Sequence, residues 1–292
     1  MDIKDFNILY NEYIDTDLAI SEDYTNRINK HFMAYLKNPT EQQEETFKSL
    51  RDALIIAFLA DLLKKWSKQS KKSINIGYET SKTQLDKKNI KKILDKNITT
   101  DKILELYKPK VEQALVDLTV NMEQVKANSD RIINNIKTNL TESSKSLGLE
   151  MIEDLQDYGI TYFTDTAGRR QDINNYIKKK SLSLISDCAR AGLFYDAIRK
   201  GVDTVKIIHL NIHPHCPLCE PFTNAILSIS GKTEGLMTID EAYSLGLWHF
   251  YCDDVPIAYE LAPEDEPKEI KLNDNNKARK RYMDSKGYKL NL

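Results

Sequence analysis

Two short cysteine and histidine spacings in the C-terminal third constrain the fold of this chain more than any other feature. Cys216 and Cys219 form a C-x-x-C, and His249 and Cys252 form an H-x-x-C further along. Each pair fits on one tight turn, so its two side chains converge on one point. Thiolate and imidazole groups are the donors that zinc prefers, and four of them complete its tetrahedron. The spacing therefore predicts one zinc site that closes the loop between the pairs.

The fourth ligand of this predicted site is less certain than the three sulfurs. His213 and His215 lie close enough to the first pair to take the place of His249. A zinc ion with four protein ligands has no open position, so the site is expected to be structural and not catalytic. A redox C-x-x-C is the alternative, but no strand-to-helix pattern of the thioredoxin type leads into Cys216.

Other residues with metal-binding or catalytic chemistry have simpler interpretations. Cys188 lies on a helical pattern and is predicted to be a core thiol, and His209 is predicted to be a strand residue. Asp253 and Asp254 could bind magnesium, although an exposed pair in a turn is the commoner arrangement. The sequence contains no phosphate-binding G-x-x-x-x-G-K-[ST], no H-E-x-x-H, no G-x-S-x-G and no G-x-G-x-x-G. We therefore predict no catalytic residues.

Composition places the chain among ordinary soluble proteins with long helices. Its 292 residues are enough for about two domains. The low content of glycine (10) and proline (8) favours helices over turn-rich β structure. The formal net charge of −2 provides no global attraction to nucleic acid or to an anionic membrane. No secretion signal opens the chain, and the apolar run 54–60 is far shorter than the roughly 20 residues of a membrane span.

Apolar residues recur at helical spacing through residues 1–148. The N-terminal stripe begins with Phe6, Leu9, Tyr10 and Tyr13, and the segment Asn38-Pro39-Thr40 predicts a break before the next helix. A third helix of about 35 residues is predicted to start with Pro109 in its first turn and to stop at Gly148.

The predicted secondary structure changes near residue 149, where turns and short β-type runs begin to alternate with helix. The segment 165–170 is turn material, a helix is predicted over about 172–200, and short β-type runs follow at 205–210 and 225–229. The predicted fold class is therefore mainly α, with a long helical N-terminal region followed by a small α+β zinc-stapled C-terminal domain. The predicted boundaries are 1–148 for the helical region, 149–262 for the α+β domain and 263–292 for a charged tail or helix.

Lysine dominates the segment 71–110. It holds eleven lysines against five acidic residues, and 11 − 5 gives a local charge of +6. A solvated surface beside a helix is the ordinary explanation of such a run, and a patch that faces DNA or an acidic partner is the alternative. No interleaved aromatic residues indicate stacking on single-stranded bases.

An ordered series of short motifs in the C-terminal half resembles one protein family. The series runs through Tyr158-Gly159, Asp165, Gly168-Arg169 and Tyr176, and it continues through the C-x-x-C, the tract 225–231 and the H-x-x-C. It resembles the tailed-phage minor capsid proteins of the phage minor capsid protein 2 group, which are similar to the Mu F-like head morphogenesis proteins. The resemblance covers about 155–255. Two departures are Asn224, near a position where the family commonly has glycine, and Asp253, where a basic residue is usual.

The resemblance implies a non-enzymatic structural component of the virion. Such proteins associate with the portal and the head interior in a few copies per virion, and some leave the head with the DNA during ejection. The implied locations are the head interior or portal vertex, and the host cytoplasm during assembly. The implied partners are the portal protein, other head proteins and packaged double-stranded DNA, which would face the segments 71–110 and 268–289. The alternative is a metal-dependent nuclease or toxin-like effector carried on a Mu F-like module.

Overall fold

A computed structural model describes residues 3–86, 100–140, 161–165, 168–210, 216–249, 252, 254–262, 265 and 267–286 of the chain. Within these residues the fold is mainly helical, with a small strand-containing C-terminal region. This arrangement confirms the predicted class at the level of helices and strands. None of the described helices combines the length and the apolar character that crossing a lipid bilayer requires.

Three long helices make up the N-terminal part of the chain. Helix α1 spans Ile3–Lys37, α2 spans Glu41–Asp86 and α3 spans Thr100–Leu140. The predicted break between α1 and α2 is confirmed. The hydroxyl of Thr40 accepts a hydrogen bond from the backbone N–H of Gln43 at 3.3 Å, and this bond satisfies one of the free donors at the start of α2.

The predicted start of α3 at Pro109 is wrong. The helix begins at Thr100, so the proline lies in its interior. An interior proline removes one helical hydrogen bond, but the residues before it, such as Ile103 and Leu106, continue the apolar spacing of the helix. The apolar helical spacing on both sides of Pro109 thus outweighs the preference of proline for the first turn of a helix. The predicted stop at Gly148 lies outside the described residues.

The C-terminal half alternates short strands and helices. Its elements, in chain order, are β1 (Tyr162–Thr164), β2 (Arg170–Asp172), α4 (Ile173–Arg199), β3 (Thr204–His209), a single 3₁₀ turn (Glu220–Phe222), β4 (Ile226–Ser228), α5 (Ile239–Ser244), β5 (Asp254–Ala258) and α6 (Asp274–Lys286). The predicted turn at 165–170, the helix that ends before Gly201 and the two β-type runs are confirmed within the described residues.

Strand β3 is the centre of a small antiparallel sheet. The order is β4-β3-β5, and Val205 of β3 pairs with Leu227 on one side and with Ala258 on the other. These three side chains are buried in one apolar cluster. The cluster also contains residues from the helices and from the loop after α5, namely Leu85, Leu193, Phe194, Ala197, Phe222, Ile239, Ala242, Leu247 and Trp248.

The described contacts divide the chain into two compact units. Unit 1 comprises Met1–Tyr10, Lys68–Pro109 and Leu182–Leu292, and unit 2 comprises Asn11–Ser67 and Lys110–Ser181. The units interleave along the sequence because α1, α2, α3 and α4 each contribute residues to both. The consecutive boundaries at 148 and 262 remain a prediction.

Buried polar side chains connect the helices of unit 2. Arg51 is buried, and its guanidinium group donates to the hydroxyl of Ser129 and to the carboxylate of Asp130, each at 2.6 Å. The indole N–H of Trp66 is shared between Asp17 at 3.0 Å and Ser181 at 3.1 Å. Because a buried donor without a partner destabilises the folded state, these bonds help to specify one packing of the helices.

Two glycines allow α2 and α4 to touch through their backbones in unit 1. A Cβ atom at Gly77 would overlap the carbonyl oxygen of Ala189, and a Cβ atom at Gly192 would overlap the carbonyl oxygen of Ile74. The obstacle at both positions is backbone, which cannot move aside as a flexible side chain can. Only glycine fits on either side of this crossing.

We expect Gly192→Ala to destabilise the protein by about 1–3 kcal/mol or more, because the added methyl group forces the two helices apart. In a helix without this crossing, the same change would stabilise by about 1 kcal/mol. Urea denaturation of Gly192→Ala, beside the exposed α4 control Lys178→Ala, measures the effect. A Gly192→Ala protein at least as stable as the wild type would contradict the close crossing.

Candidate metal centre

The first predicted ligand pair lies on a tight turn, residues 216–220, which we call the knuckle. The carbonyl oxygen of Cys216 accepts hydrogen bonds from the backbone N–H groups of Cys219 and Glu220, both at 3.0 Å. The N–H of Leu218 points at the sulfur of Cys216 at 3.3 Å. The turn therefore brings the Cys216 and Cys219 side chains toward one side, as the C-x-x-C spacing predicts.

The second pair follows helix α5. The helix starts with a capping box, in which Thr238 and Glu241 satisfy each other's backbone N–H groups. After the helix, Gly246 at φ 110° and Trp248 at φ 59° turn the chain sharply toward His249. The N–H of Cys252 then donates to the carbonyl oxygen of His249 at 3.1 Å. A positive φ is unusual for tryptophan, so packing around its ring must hold this turn.

The structure brings the four predicted ligands together. The sulfur of Cys216 lies 2.9 Å from Nε2 of His249, and the sulfur of Cys219 lies 3.2 Å from the sulfur of Cys252. All four cysteines of the chain are free thiols. Within one group of candidate donors, Cys216, Cys219 and His249, every pair of ligand atoms lies within 4.8 Å. This cluster, defined by residues 216, 219, 249 and 252, could hold a metal ion.

Asp254 adds a fifth donor and corrects the expectation of an exposed acidic turn. It is the first residue of β5 and only 1% exposed. Its carboxylate accepts a hydrogen bond from the sulfur of Cys252 at 3.4 Å, and it forms a second candidate group with Cys219 and Cys252. Asp253 lies outside the described residues. The strand register that pairs Asp254 with His209 explains the burial, because this register turns the carboxylate inward.

The buried thiol of Cys219 has a strongly raised pKa. The hydrogen bond with Cys252 contributes most, and burial and the nearby Cys252, Asp254 and Cys216 side chains act in the same direction. Each of these groups opposes a second negative charge at this point. A divalent cation would reverse the balance, since a coordinated thiol gives up its proton. The donor set is therefore one that favours a bound cation.

The other residues singled out in the sequence have separate environments. His209 lies in β3, as predicted, and its Nδ1 is 3.4 Å from the carboxylate of Asp254. Cys188 is fully buried in α4, which confirms the predicted core thiol. His213 and His215 lie outside the described residues. Among the described histidines, His249 is the one that reaches the sulfur atoms.

Three of the motif residues, Asp165, Gly168 and Arg169, lie between the paired strands β1 and β2 in unit 2, and Tyr176 lies in α4. Asp165 holds its loop, accepting hydrogen bonds from the backbone N–H of Arg169 at 2.9 Å and from its guanidinium group at 3.0 Å. Gly168 adopts φ 77°, a conformation that glycine adopts easily. Tyr176 packs edge-to-face on Phe163, with 5.0 Å between the ring centres. Tyr158 and Gly159 lie outside the described residues.

Asn224 occupies a backbone position that suits glycine. Its φ is 61°, and its N–H donates to the carbonyl oxygen of Ile207 at 2.8 Å. Asparagine is one of the few non-glycine residues that adopts this region readily. The chain therefore forms this turn without a glycine.

Two polar residues of unit 1 make long-range hydrogen bonds that carry no signal in the sequence. Asp203 accepts five hydrogen bonds, from the hydroxyls of Ser228, Ser230 and Thr233 and from the backbone N–H groups of Ser230 and Thr233. Asn276 of α6 donates to two backbone carbonyl groups beside the metal cluster. Both partner sets come from distant parts of the chain, so no local spacing reveals them.

Comparison with known proteins adds no relative. No protein-family model matches the chain. No curated protein and no solved structure shows significant similarity to it. The function must therefore be argued from the residues and their geometry.

We expect Asp203→Asn to destabilise the protein by about 2 kcal/mol at neutral pH, because the amide offers fewer acceptors to groups that all donate. Burial acts to raise the pKa of Asp203, but the hydrogen bonds from Ser230, Ser228 and Thr233 outweigh it, so the pKa is lowered. With a lowered folded-state pKa, the stabilisation is complete above the unfolded-state value of about 4 and is lost as the pH falls through the folded-state value.

Urea denaturation at pH 7 and in acid measures this effect. The difference between wild type and Asp203→Asn should shrink in acid, whereas the exposed loop control Glu234→Gln should show little difference at either pH. A constant difference across this range would mean that the carboxylate charge has no part in the network.

Proposed function

We propose that this chain is a non-enzymatic structural protein, that one zinc ion holds the C-terminal part of its fold together, and that it serves as a minor capsid protein in the head of a tailed phage. The convergence of Cys216, Cys219, His249 and Cys252 carries the proposal. Three sulfur donors and one imidazole are a donor set of structural zinc sites.

The distances in the cluster fit zinc after a small expansion. Zinc binds thiolate at about 2.3 Å and imidazole at about 2.0 Å, so two sulfur ligands of a regular tetrahedron lie about 3.8 Å apart. The observed sulfur pair is 3.2 Å apart. Rotation of side chains on fixed turns can open this gap, and the loss of the thiol protons on coordination removes the hydrogen bond that draws the sulfurs together.

A closed zinc ion would act as a staple. Two of its ligands lie on the knuckle, and the other two lie between α5 and β5. The ion would therefore close the loop that contains β4 and α5, and it would limit the freedom of this loop in the unfolded chain as a covalent cross-link does. Four protein ligands leave no position for water or substrate, which favours a structural role.

We expect the purified protein to bind one equivalent of zinc, and we expect Cys216→Ser and Cys252→Ser each to lose most of it. The hydroxyl of serine is a far weaker zinc ligand than a thiolate at neutral pH. Elemental analysis of the proteins after dialysis measures the content. Cys188→Ala is the matched control, because Cys188 is the one cysteine outside the cluster.

A protein that contains no metal after purification and reconstitution with zinc would contradict the proposed zinc site. So would a metal content that neither serine substitution lowers. A thermal transition that falls by many degrees on chelation, and recovers on addition of zinc, would add independent support for the structural role.

The phage role is supported by the ordered motif series. In that series, Asp165 and Gly168 form a hairpin turn, Asn224 occupies a glycine-type position, and the two metal pairs converge. The proposed partners are the portal protein, other head proteins and packaged double-stranded DNA, which would face the segments 71–110 and 268–289. The proposed location is the head interior or portal vertex, with the host cytoplasm during assembly.

We expect the protein to copurify with the portal protein of its phage and to bind duplex DNA with an affinity that falls as salt rises, because lysines that contact phosphates displace counterions. Affinity purification from infected cells and DNA titrations at two salt concentrations measure these properties. Absence of the chain from purified virions would contradict the role directly, whatever the DNA result.

The second candidate function is a metal-dependent nuclease or toxin-like effector. It is favoured by the alternative donor group of Cys219, Cys252 and Asp254, because a site with three protein ligands leaves a position open for water. Metal-dependent cleavage of DNA that is lost in Asp254→Asn and in a His213 and His215 double alanine variant would support the enzyme and count against the structural protein.

A further inference from the structure

The segment 267–286, which we call the C-terminal latch, binds the backbone of the knuckle through polar side chains. Asn276 is fully buried in this contact. Its amide group donates to the carbonyl oxygen of Leu218 at 2.9 Å and to that of Leu245 at 2.8 Å. One side chain thus connects the turn of the first ligand pair to the loop that leads to the second.

Two further latch residues bind the same region. The amide of Asn273 donates to the carbonyl oxygen of Pro217 at 2.6 Å. The ammonium group of Lys268 donates to the carbonyl oxygens of Thr223 at 2.9 Å and Pro221 at 3.3 Å. The apolar contribution is smaller, with Met283 buried and with Ile270 and Leu272 partly buried against the core of unit 1.

Helix α6 depends on this docking for its own stability. It has 13 residues and is strongly polar. Isolated helices shorter than about 12–15 residues are marginal in water even for favourable sequences, so α6 would not persist once undocked. The hydrogen bonds of Asn276 also tolerate little displacement, because a contact stretched to about 3.6 Å or bent to an angle of about 100° is no longer a hydrogen bond.

The carbonyl groups that the latch binds belong to the backbone that the metal would hold. Pro217 and Leu218 lie between the two cysteines of the knuckle. Without an ion, the ligand side chains of the two pairs meet through hydrogen bonds of thiol and imidazole groups, and thiols are weak donors and acceptors. An ion bound by Cys216 and Cys219 would hold the Leu218 carbonyl group in place more firmly, since metal–thiolate bonds are stronger than these hydrogen bonds.

We propose that metal occupancy of the cluster controls the docking of the C-terminal latch. The ion fixes the knuckle, Asn276 and Asn273 bind the fixed carbonyl groups, and loss of the ion releases the segment 267–286 and melts α6. This inference rests on the proposed metal binding of the cluster. It extends that proposal to a segment outside the loop that the ion closes. An ion that stabilised only this loop would leave the latch docked after the ion is lost.

Hydrogen exchange of the full chain, measured by mass spectrometry, tests the proposal. After chelation of zinc, amides of peptides within 267–286 should exchange at least tenfold faster, and protection should return when zinc is added back. Peptides within 47–62 of unit 2 serve as the internal control and should not change. Unchanged protection of the latch in protein shown to be metal-free would overturn the proposal.

Variants separate the latch from the metal. Asn276→Asp keeps the shape of the side chain but removes both donors, and Asn276→Ala removes them without adding a charge. Both should keep one equivalent of zinc while the latch exchanges at least tenfold faster. Asn275→Asp and Asn275→Ala are the matched controls, since Asn275 is exposed on the same turn. Zinc-bound Asn276 variants with a fully protected latch would also overturn the proposal.

The two proposals fail in distinguishable ways. If the protein binds no zinc, the elemental analysis shows this directly, and the proposed metal site falls together with the control of the latch. If zinc binds with the expected stoichiometry but exchange of the latch does not respond to it, the metal site stands and the latch proposal alone fails.

Discussion

Two thiols, an imidazole and a buried carboxylate surround the thiol of Cys219, and the sulfurs and the carboxylate cannot all carry negative charges there without a cation. The raised pKa of Cys219 reflects this constraint, because the hydrogen bond with Cys252, burial, and the charges of Cys252, Asp254 and Cys216 all oppose the thiolate. The local architecture follows from keeping these groups together. A tight turn presents one pair, a sharp bend after Gly246 presents the other, and β5 begins at Asp254. Without a cation, the thiols keep their protons. A bound metal ion would replace these protons, and all three sulfurs would then be its ligands.

Elsewhere in unit 1, a few residues fix the geometry of the backbone. Gly77 and Gly192 let two helix backbones touch, and Asp203 accepts five hydrogen bonds from the last residue of β4 and the loop after it. Asn276 adds a third case, because its side chain donates to two backbone carbonyl groups. In each case, the geometry of the backbone is specified by a steric or hydrogen-bonding requirement that only one or two residue types meet. We therefore expect substitution at these positions to lower the stability of the fold, and to affect the candidate metal site only through the fold.

Local spacing predicted much of what is present. The helices followed from apolar periodicity, and the C-x-x-C and H-x-x-C identified four residues that converge. The failures have a common physical origin. Pro109 alone predicts the start of a helix, but the apolar pattern continues before it and α3 begins at Thr100. Asp254 reads as an exposed turn residue, but the register of β5 on β3 buries it. The partners of Asp203 and Asn276 are set by tertiary contacts, which no window of sequence contains.

The two tryptophans of the chain are divided between the two units, one to each. Trp66 belongs to unit 2 and shares its indole N–H between Asp17 and Ser181. Trp248 belongs to unit 1, lies 4.7 Å below the guanidinium group of Arg190 and directly precedes His249. Indole emission depends on the polarity and charge around the ring, so these two environments are optically distinct. The protein thus carries one intrinsic fluorophore beside the candidate metal cluster and a second one that serves as a reference.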